Sequence, residues 1–245
     1  MPLISVIIPV ANIKPYLNKI RQNLARVSTP IEVIIVVSKD LVGKIFKKYP
    51  FEKIIISKLN GRGFACSQGL RSAKGEIIIF LHADTILPEN WDKVIRNALA
   101  NKNIVGGAFS LTFDSNHKYL KLLVIISDLF FMFTRELWGD RAIFVRSEVL
   151  KGHAALMEVP IMEDVKLSSF MKKKGKLVML KEKVITSSDT FIKYGLLRHT
   201  FRIVKCRIWY AFGGNPAKIY NYYYSRGHNV PFSASGKPEK RSLQD

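Results

Sequence analysis

Acidic residues and cysteines are scarce in this sequence. The 245 residues include 19 Asp or Glu against 39 Lys or Arg, which gives a formal net charge of +20. This excess favours an anionic partner, such as phosphate groups, nucleic acid or an acidic membrane surface, although an ordinary solvated basic surface has the same composition. The two cysteines, Cys66 and Cys206, show no metal-ligand spacing and imply no disulfide framework. They are typical of buried thiols in a reducing compartment.

Long uninterrupted hydrophobic runs are also absent. Residues 119–133 (YLKLLVIISDLFFMF) come nearest, but Lys121 and Asp128 interrupt them, so a buried or membrane-facing helix is favoured over a spanning one. The first run, MPLISVIIPV, is short, contains Pro9 and has no basic region ahead of it, which predicts a strand rather than a signal peptide. With 48% hydrophobic residues, the chain can bury a core suited to one α/β domain with an additional arm.

The first half of the sequence alternates between two kinds of segment. Continuously apolar, β-rich runs predict strands, and apolar residues at helical spacing predict helices. Strands are predicted at 4–10, 32–38, 53–57 and 76–81, and the helices between them at 15–27, 41–49 and 63–74. Such alternation requires crossover connections, so we expect an α/β fold with a mostly parallel central sheet flanked by helices.

The second half is less regular. It contains predicted strands at 106–114, 142–146 and 176–186, and predicted helices at 119–133, 163–174 and 191–212. The last helix is rich in basic and aromatic residues, and the residues after it are polar. We expect residues 1–190 to form the α/β domain, 191–227 a basic aromatic helical arm, and 228–245 a mobile tail.

Carboxylates stand at positions where a ligand site is expected. Asp84, in HADT, follows the strand at 76–81, and ligands of open α/β sheets bind at the carboxyl ends of strands. Glu163 and Asp164 open a helix, and Asp140 follows Gly139 in a predicted turn. Taken singly, these acids also suit helix capping and turn formation.

A glycine-rich stretch, NGRGFACSQGLRSAKGE, precedes the HADT strand. Gly63 permits close backbone approach, and Arg62 supplies charge for a phosphate. The stretch is neither a Walker loop nor the dinucleotide fingerprint, so by itself it does not define a site.

In order, spacing and residue type, these stretches resemble family 2 glycosyltransferases of the GT-A fold, whose first half is Rossmann-like. The resemblance rests on SVIIPVAN, GRG…AKGEIIIFLHADTILP, GGAFSLTF, GDRAIFVR and PIMEDVKLSSFMKKKGK. The sequence is most similar to a short branch that carries HADT in place of the usual D-x-D and is often labelled for arsenosugar biosynthesis.

The resemblance implies a hexosyltransferase-like enzyme that uses a nucleotide-diphosphate sugar. Asp84 would bind a divalent cation, Mg²⁺ or Mn²⁺, on the diphosphate, and His82 would either join it or pack in the strand. Asp164 would be the general base of an inverting displacement. Glu163 would orient the acceptor or, as a like charge, raise the pKa of the base.

The resemblance also implies donor-binding positions. These are Pro9, Asp40, Arg62, Gly63, Asp84, Gly139 and Asp140. The family's usual D-G-G-S-T-D turn is replaced here by VSKD, in which Asp40 is the remaining acid. A sugar-nucleotide-binding scaffold without turnover is therefore the alternative to an active enzyme.

The basic arm suggests a location. Residues 193–245 contain ten Lys or Arg and two acids. Basic residues interleaved with aromatics suit an anionic membrane surface, with Arg198, Arg202, Lys205 and Arg207 facing the lipid. That reading places the protein in the cytoplasm, peripheral on the inner face of the cell membrane, and makes a lipid-linked acceptor accessible. A packed C-terminal helix is the alternative, and nucleic-acid binding is supported by charge alone.

Overall fold

The computed structural model describes residues 1–10, 16–24, 27, 29–38, 53–57 and 59–224. Asp40, the helix predicted at 41–49 and the tail predicted at 228–245 lie outside the described residues. The division of the chain at residues 190 and 227 stays a prediction.

One sheet of eight strands organises the described chain, in the order β3-β2-β1-β4-β7-β6-β8-β5. The strands are β1 Ile4–Val10, β2 Ile31–Ser38, β3 Lys53–Ser57, β4 Ile77–Phe80, β5 Thr85–Ile86, β6 Ile104–Phe113, β7 Ile143–Arg146 and β8 Lys176–Thr186. Strands β3, β2, β1 and β4 are parallel neighbours, as are β6 and β8. The pairs β4–β7, β6–β7 and β5–β8 are antiparallel, so the sheet is mixed and the predicted α/β class is confirmed.

Helices flank this sheet. They are α1 Tyr16–Leu24, α2 Arg62–Ser72, α3 Trp91–Ala100, α4 Lys118–Thr134, α5 Ser147–Leu150, α6 Glu163–Lys172, α7 Asp189–Tyr194, α8 Leu196–Ala211 and α9 Pro216–Tyr224. Two 3₁₀ turns, Gly139–Arg141 and Ala154–Met157, complete the described elements. In the described residues, no helix has the length and apolarity needed to cross a membrane.

Two apolar clusters form the core, one on each face of the sheet. Along β1, Ile4, Val6 and Ile8 belong to one cluster and Ile7 to the other, as the two-residue period of a strand requires. Because both faces of the sheet are covered, the sequences of these strands are continuous apolar runs.

Most predicted strands agree with the structure to within two residues, but several helical features differ, including the short helix α5, which was not predicted. The helix predicted at 191–212 is two helices, since Gly195 between them has φ of +84° and ends α7. Helix α3 was not predicted, although its buried Trp91, Ile95 and Leu99 recur every four residues. Helix α9 was not predicted either.

Candidate functional site

The carboxyl ends of β1 and β4 meet at one edge of the sheet. Leu81, just past β4, donates its N–H to the carbonyl of Ile7 at 2.9 Å, which fixes the two strand ends side by side. A cavity of about 20 Å³ lies there. The predicted site residues among those that line it are Pro9, Arg62, His82, Gly139, Glu163 and Asp164. Residues far apart in sequence thus converge where ligands of such sheets bind.

Arg62 is the central cation of the site. Its guanidinium forms an ion pair with Glu163 and lies 3.8 Å from Asp164 Oδ2. Burial alone would lower the pKa of Arg62, but the charges of Glu163 and Asp164 raise it well above its ordinary value. Arg62 is therefore a permanent positive charge at the first turn of α2.

The contact between Arg62 and His82 constrains the histidine. Arg62 Nη1 lies 2.8 Å from His82 Nε2. Because a guanidinium only donates, Nε2 must accept, and its lone pair is then engaged. In this arrangement Nε2 of His82 is occupied by Arg62, and the metal role of His82 stays a prediction.

Glu163 and Asp164 form a buried carboxylate pair at the start of α6. Their residues are 4% and 6% exposed. Asp164 Oδ2 accepts the N–H of Gly139 at 3.0 Å, and Oδ1 accepts the N–H of Val165 at 2.9 Å. Burial raises the pKa of Glu163, and the charge of Asp164 raises it further against the opposing effect of Arg62. Acids that only cap a helix can stay in contact with solvent, so the burial of this pair is not explained by capping.

The turn at Gly139 and Asp140 closes the site from the other side. A Cβ on Gly139 would lie 3.1 Å from both Arg62 Nη2 and His82 Nε2, so only glycine leaves these side chains in place. Asp140 Oδ1 is buried without a hydrogen-bond partner among the described residues. Burial chiefly raises the pKa of Asp140; Asp164 and Asp84 add to the rise, while Arg141 and Arg62 oppose it.

At Gly63 neighbouring backbone approaches α2 closely. A Cβ there would lie 2.3 Å from the carbonyl oxygen of Val159 and 2.4 Å from that of Met157. The missing side chain lets α2 approach the segment before α6, which sets Arg62 against Glu163. Cys66, one turn further along α2, is 4% exposed, and Cys206 is fully buried, so the prediction of two buried free thiols is confirmed.

The C-terminal helices contribute residues that sequence reasoning missed. Arg207 of α8 forms an ion pair with Glu136, lies 3.7 Å from Asp164 Oδ2 and stacks 4.8 Å from the ring centre of Trp138. Although these carboxylates are close, burial and the charge of Arg62 lower the pKa of Arg207 to about 10. The prediction that Arg207 faces lipid is therefore wrong, because this side chain points into the site.

Arg202 also departs from the predicted orientation. It is half-buried, with its guanidinium 5.1 Å from the Tyr194 ring centre.

Tyr224 of α9 also lies near the site. Burial raises its pKa, and the charges of Arg62, Glu163 and Asp84 affect it as well. The buried residues of α8, His199 and Cys206, recur at helical spacing, and that signal could have indicated the inward face.

A divalent cation fits the residues at this edge. Within the described part of the chain there is no group of three or more His, Cys, Asp or Glu side chains placed to hold a metal unaided. Mg²⁺ in nucleotide sites takes only one or two carboxylates, however, and completes its shell with phosphate oxygens and water. Asp84 supplies a carboxylate between β4 and β5. The Oδ1 of Asp140, which has no hydrogen-bond partner among the described residues, is a second oxygen donor, and the charge of Asp84 raises the pKa of the Asp140 carboxyl. This hard oxygen donor set suits Mg²⁺ or Mn²⁺.

Sequence comparison identifies the family. Residues 5–159 match the family model described as Glycosyl transferase family 2. The match spans more than half of the chain, so this chain belongs to the family 2 glycosyltransferases. Glu163 and Asp164 lie just beyond the matched residues. None of the curated proteins compared with the chain matches it.

Solved glycosyltransferases share the fold. The mannosyltransferase PcManGT from Pyrobaculum calidifontis, in complex with GDP-Man and Mn²⁺, has a TM-score of 0.62 and 17% identity, over 91% of this chain and 69% of that one. S. aureus TarS 1-349 has a TM-score of 0.54 and 18% identity, over 91% and 72% of the two chains. Its complex with UDP-GlcNAc has a TM-score of 0.55 and 17% identity, over 91% and 73%. The predicted GT-A fold is thus confirmed.

Proposed function

We propose that this chain transfers a sugar from a nucleotide-diphosphate sugar to an acceptor hydroxyl, with inversion at the anomeric carbon. The family and the solved neighbours with GDP-Man and UDP-GlcNAc support a nucleotide-sugar donor. The observation that carries the proposal is the buried pair Glu163–Asp164, held against Arg62 at the carboxyl edge of β1 and β4.

Asp164 is proposed as the general base. Both of its carboxylate oxygens accept backbone N–H groups, so the carboxylate is held in one orientation. In an inverting displacement the acceptor oxygen attacks the anomeric carbon, its proton passes to the carboxylate of Asp164, and the diphosphate leaves from the opposite side. Glu163 is proposed to orient the acceptor hydroxyl, since its buried Oε2 has no hydrogen-bond partner among the described residues.

Arg62 and Arg207 are proposed to receive the negative charge of the donor. Both guanidiniums lie within 4 Å of Asp164 Oδ2, so two cations that can form charge-assisted hydrogen bonds with phosphate stand at this end of the site. The cavity of about 20 Å³ holds little more than a water molecule. Donor binding therefore requires the Arg62 side chain to turn from Glu163 toward the diphosphate. Pro9, Gly63, Gly139, Asp140 and Asp40 are the other proposed donor-binding positions.

Asp84 is proposed to hold the divalent cation, with Asp140 as the second available carboxylate. A bound Mg²⁺ or Mn²⁺ would neutralise charge on the departing diphosphate. Beside it, the absence of a side chain at Gly139 leaves room for the side chains of Arg62 and His82.

Finer assignments follow from the same residues. The HADT motif supports placing the chain in the short arsenosugar-type branch, and a hexosyl donor is the corresponding expectation. The proposed location is the cytoplasm, at the inner face of the membrane, with a lipid-linked acceptor.

Donor binding by an Asp84→Asn variant tests the proposal. Isothermal titration with GDP- and UDP-sugars should show Mn²⁺-dependent binding by the parent and a loss of roughly 10- to 100-fold in the variant. Glu148→Gln is the control, because Glu148 is exposed beside β7 at the opposite edge of the sheet. Equal Mn²⁺-dependent binding by Asp84→Asn and the parent would remove Asp84 from the cation site.

A further inference from the structure

Helix α4 exposes a broad apolar face. Seven large apolar side chains of its 17 residues are exposed, from 39% for Phe130 to 85% for Phe133. They are Leu122, Ile125, Ile126, Leu129, Phe130, Met132 and Phe133. Soluble monomers rarely expose contiguous apolar patches larger than a few hundred Å², so this face indicates an interaction surface.

Helix α8 exposes a second apolar stripe. Its members recur at spacings of three or four residues and are 46% to 88% exposed; they are Leu197, Phe201, Val204 and Ile208 of α8 and Phe212 directly after it. With Ile192 of α7 and the seven residues of α4, they make 13 of the 16 exposed large apolar side chains in the described chain. The exposed apolar surface is therefore concentrated on these helices, which we call the apolar face.

Two features connect the two helices. Near their first turns, a groove of about 690 Å³ is lined by Leu120 of α4 and by Leu196 and Leu197 of α8. Near their last turns, Arg207 of α8 contacts Glu136 and Trp138, which follow α4. Because the groove and the Arg207 contacts connect the two helices, the apolar face is described as one surface.

Positive charge borders the apolar face. Lys118 and Lys121 are exposed at the start of α4, and Arg198 and Lys205 are exposed along α8. Helix α8 contains no acid. The single acid of α4, Asp128, is 2.6 Å from the buried Arg141 and accepts a hydrogen bond from Ser110. The surface therefore presents apolar side chains edged by exposed cations.

We infer that the apolar face docks the protein onto an anionic lipid bilayer, with α4 and α8 lying in the plane of the interface. Amphipathic helices with a basic border insert their apolar side chains at the boundary between headgroups and acyl chains. A second copy of this chain fits less well, because two such faces would bring cations against cations. Nucleic acid fits less well too, because the centre of the surface is apolar.

A membrane-bound position would also define the class of acceptor, and this part of the inference rests on the proposed function. Arg207 links the apolar face to the site, since it contacts Trp138 beside α4 and lies 3.7 Å from Asp164. A hydroxyl on a membrane lipid headgroup would thus be presented beside the proposed base. Attachment comes from inserted side chains and from Arg198 and Lys205, whereas Arg207 serves the site.

Vesicle co-sedimentation tests the inference. The full chain should pellet with vesicles of equal phosphatidylcholine and phosphatidylglycerol, and less with phosphatidylcholine alone. The variant Phe133→Gln/Phe201→Gln/Phe212→Gln should bind the mixed vesicles at least about tenfold more weakly, because each ring removed contributes several buried carbons. Its fold should be unchanged, since these residues are 85%, 68% and 88% exposed. Arg198→Gln/Lys205→Gln should weaken binding by about fivefold per charge.

The matched control removes apolar area elsewhere. Ile56→Thr/Ile185→Thr alters strand residues that are 46% and 42% exposed, and it should bind vesicles like the parent. A parent that stays in the supernatant, or a triple variant that pellets like the parent, overturns the inference. So does a parent dimer in solution that the triple variant converts to monomer, which would assign the apolar face to a second copy. Sugar-nucleotide turnover without vesicles reports the proposed function separately.

Discussion

Removing the charge of Asp128 should destabilise the protein more than removing the charge of Arg141. Arg141 is 1% exposed, and its Nη1 lies 2.6 Å from Asp128 Oδ1. Its guanidinium donates hydrogen bonds to Ser127 Oγ and, at 3.5 Å, to Met179 Sδ. The Asp128 side chain is 38% exposed, so water can solvate it if the partner is lost. The two halves of this ion pair are therefore unequal.

The unequal burial of the two side chains predicts how much stability each variant loses. Asp128→Asn leaves a buried cation without its counter-charge, which costs about 4 kcal/mol in the free energy of unfolding. Arg141→Met removes that cation and fills much of its volume, and we expect a cost of about 1–2 kcal/mol. For a chain of this length, 1 kcal/mol shifts the melting temperature by roughly 2–4 °C, so Asp128→Asn should melt about 12 °C below the parent.

Thermal and urea unfolding of the two single variants and of the double variant provide the assay. The double variant Asp128→Asn/Arg141→Met should be more stable than Asp128→Asn alone, since the unpaired charge is gone. If Arg141→Met costs as much as Asp128→Asn, or the double variant is no better than Asp128→Asn, the buried-cation explanation fails.

Two further variants test other parts of the account. His199 is 3% exposed among the rings of Phe191, Tyr194 and Tyr223, and burial, followed by the charge of Arg202, lowers its pKa from 6.5 to about 4. The folded state thus favours the neutral ring, so His199 contributes stability above pH 6.5 that is lost as the pH falls toward 4. Between pH 7 and 5 this loss is about 2 kcal/mol in the free energy of unfolding, and His199→Phe should abolish it when the two proteins are compared by urea unfolding. A variant with the same pH profile as the parent would contradict this. Gly63→Ala should lower the free energy of unfolding by about 3 kcal/mol, because its Cβ would meet backbone oxygens at 2.3 and 2.4 Å. The control Gly152→Ala, at a position with φ of +76° and no atom within 4 Å of the added Cβ, should lower it by about 1 kcal/mol. Equal melting temperatures for the two variants would rule out the packing role of Gly63.

Local patterns predicted much of the fold. The run at 4–10 and the strands at 53–57 and 176–186 agree with the structure because their sequences are β-rich over their whole length. The short strand Thr85–Ile86 has no periodicity of its own and exists only through its pairing with β8. The break at Gly195 depends on a positive φ, which a helical pattern of apolar residues does not reveal.

The candidate site was predicted only in part. The motifs indicated Arg62, Gly139, Glu163 and Asp164, and the structure brings all four to one cavity. Arg207 was predicted to face lipid because it lies in a segment where basic residues are interleaved with aromatics. Its inward direction follows from the packing of α8 and α9 onto the start of α6, which is a tertiary contact that sequence spacing does not specify.

The most direct measurement of the central claim is sugar-nucleotide turnover by the parent and by Asp164→Asn. With a panel of GDP- and UDP-sugars and Mn²⁺, nuclear magnetic resonance of the anomeric proton should show turnover by the parent, with inverted configuration in the first product. Asp164→Asn should bind the same donor and react about a hundredfold to ten-thousandfold more slowly, because the amide cannot take up the acceptor's proton. Retained configuration, or undiminished turnover by Asp164→Asn, would contradict the proposed mechanism, and donor binding by a parent that never turns over would identify a scaffold instead of an enzyme.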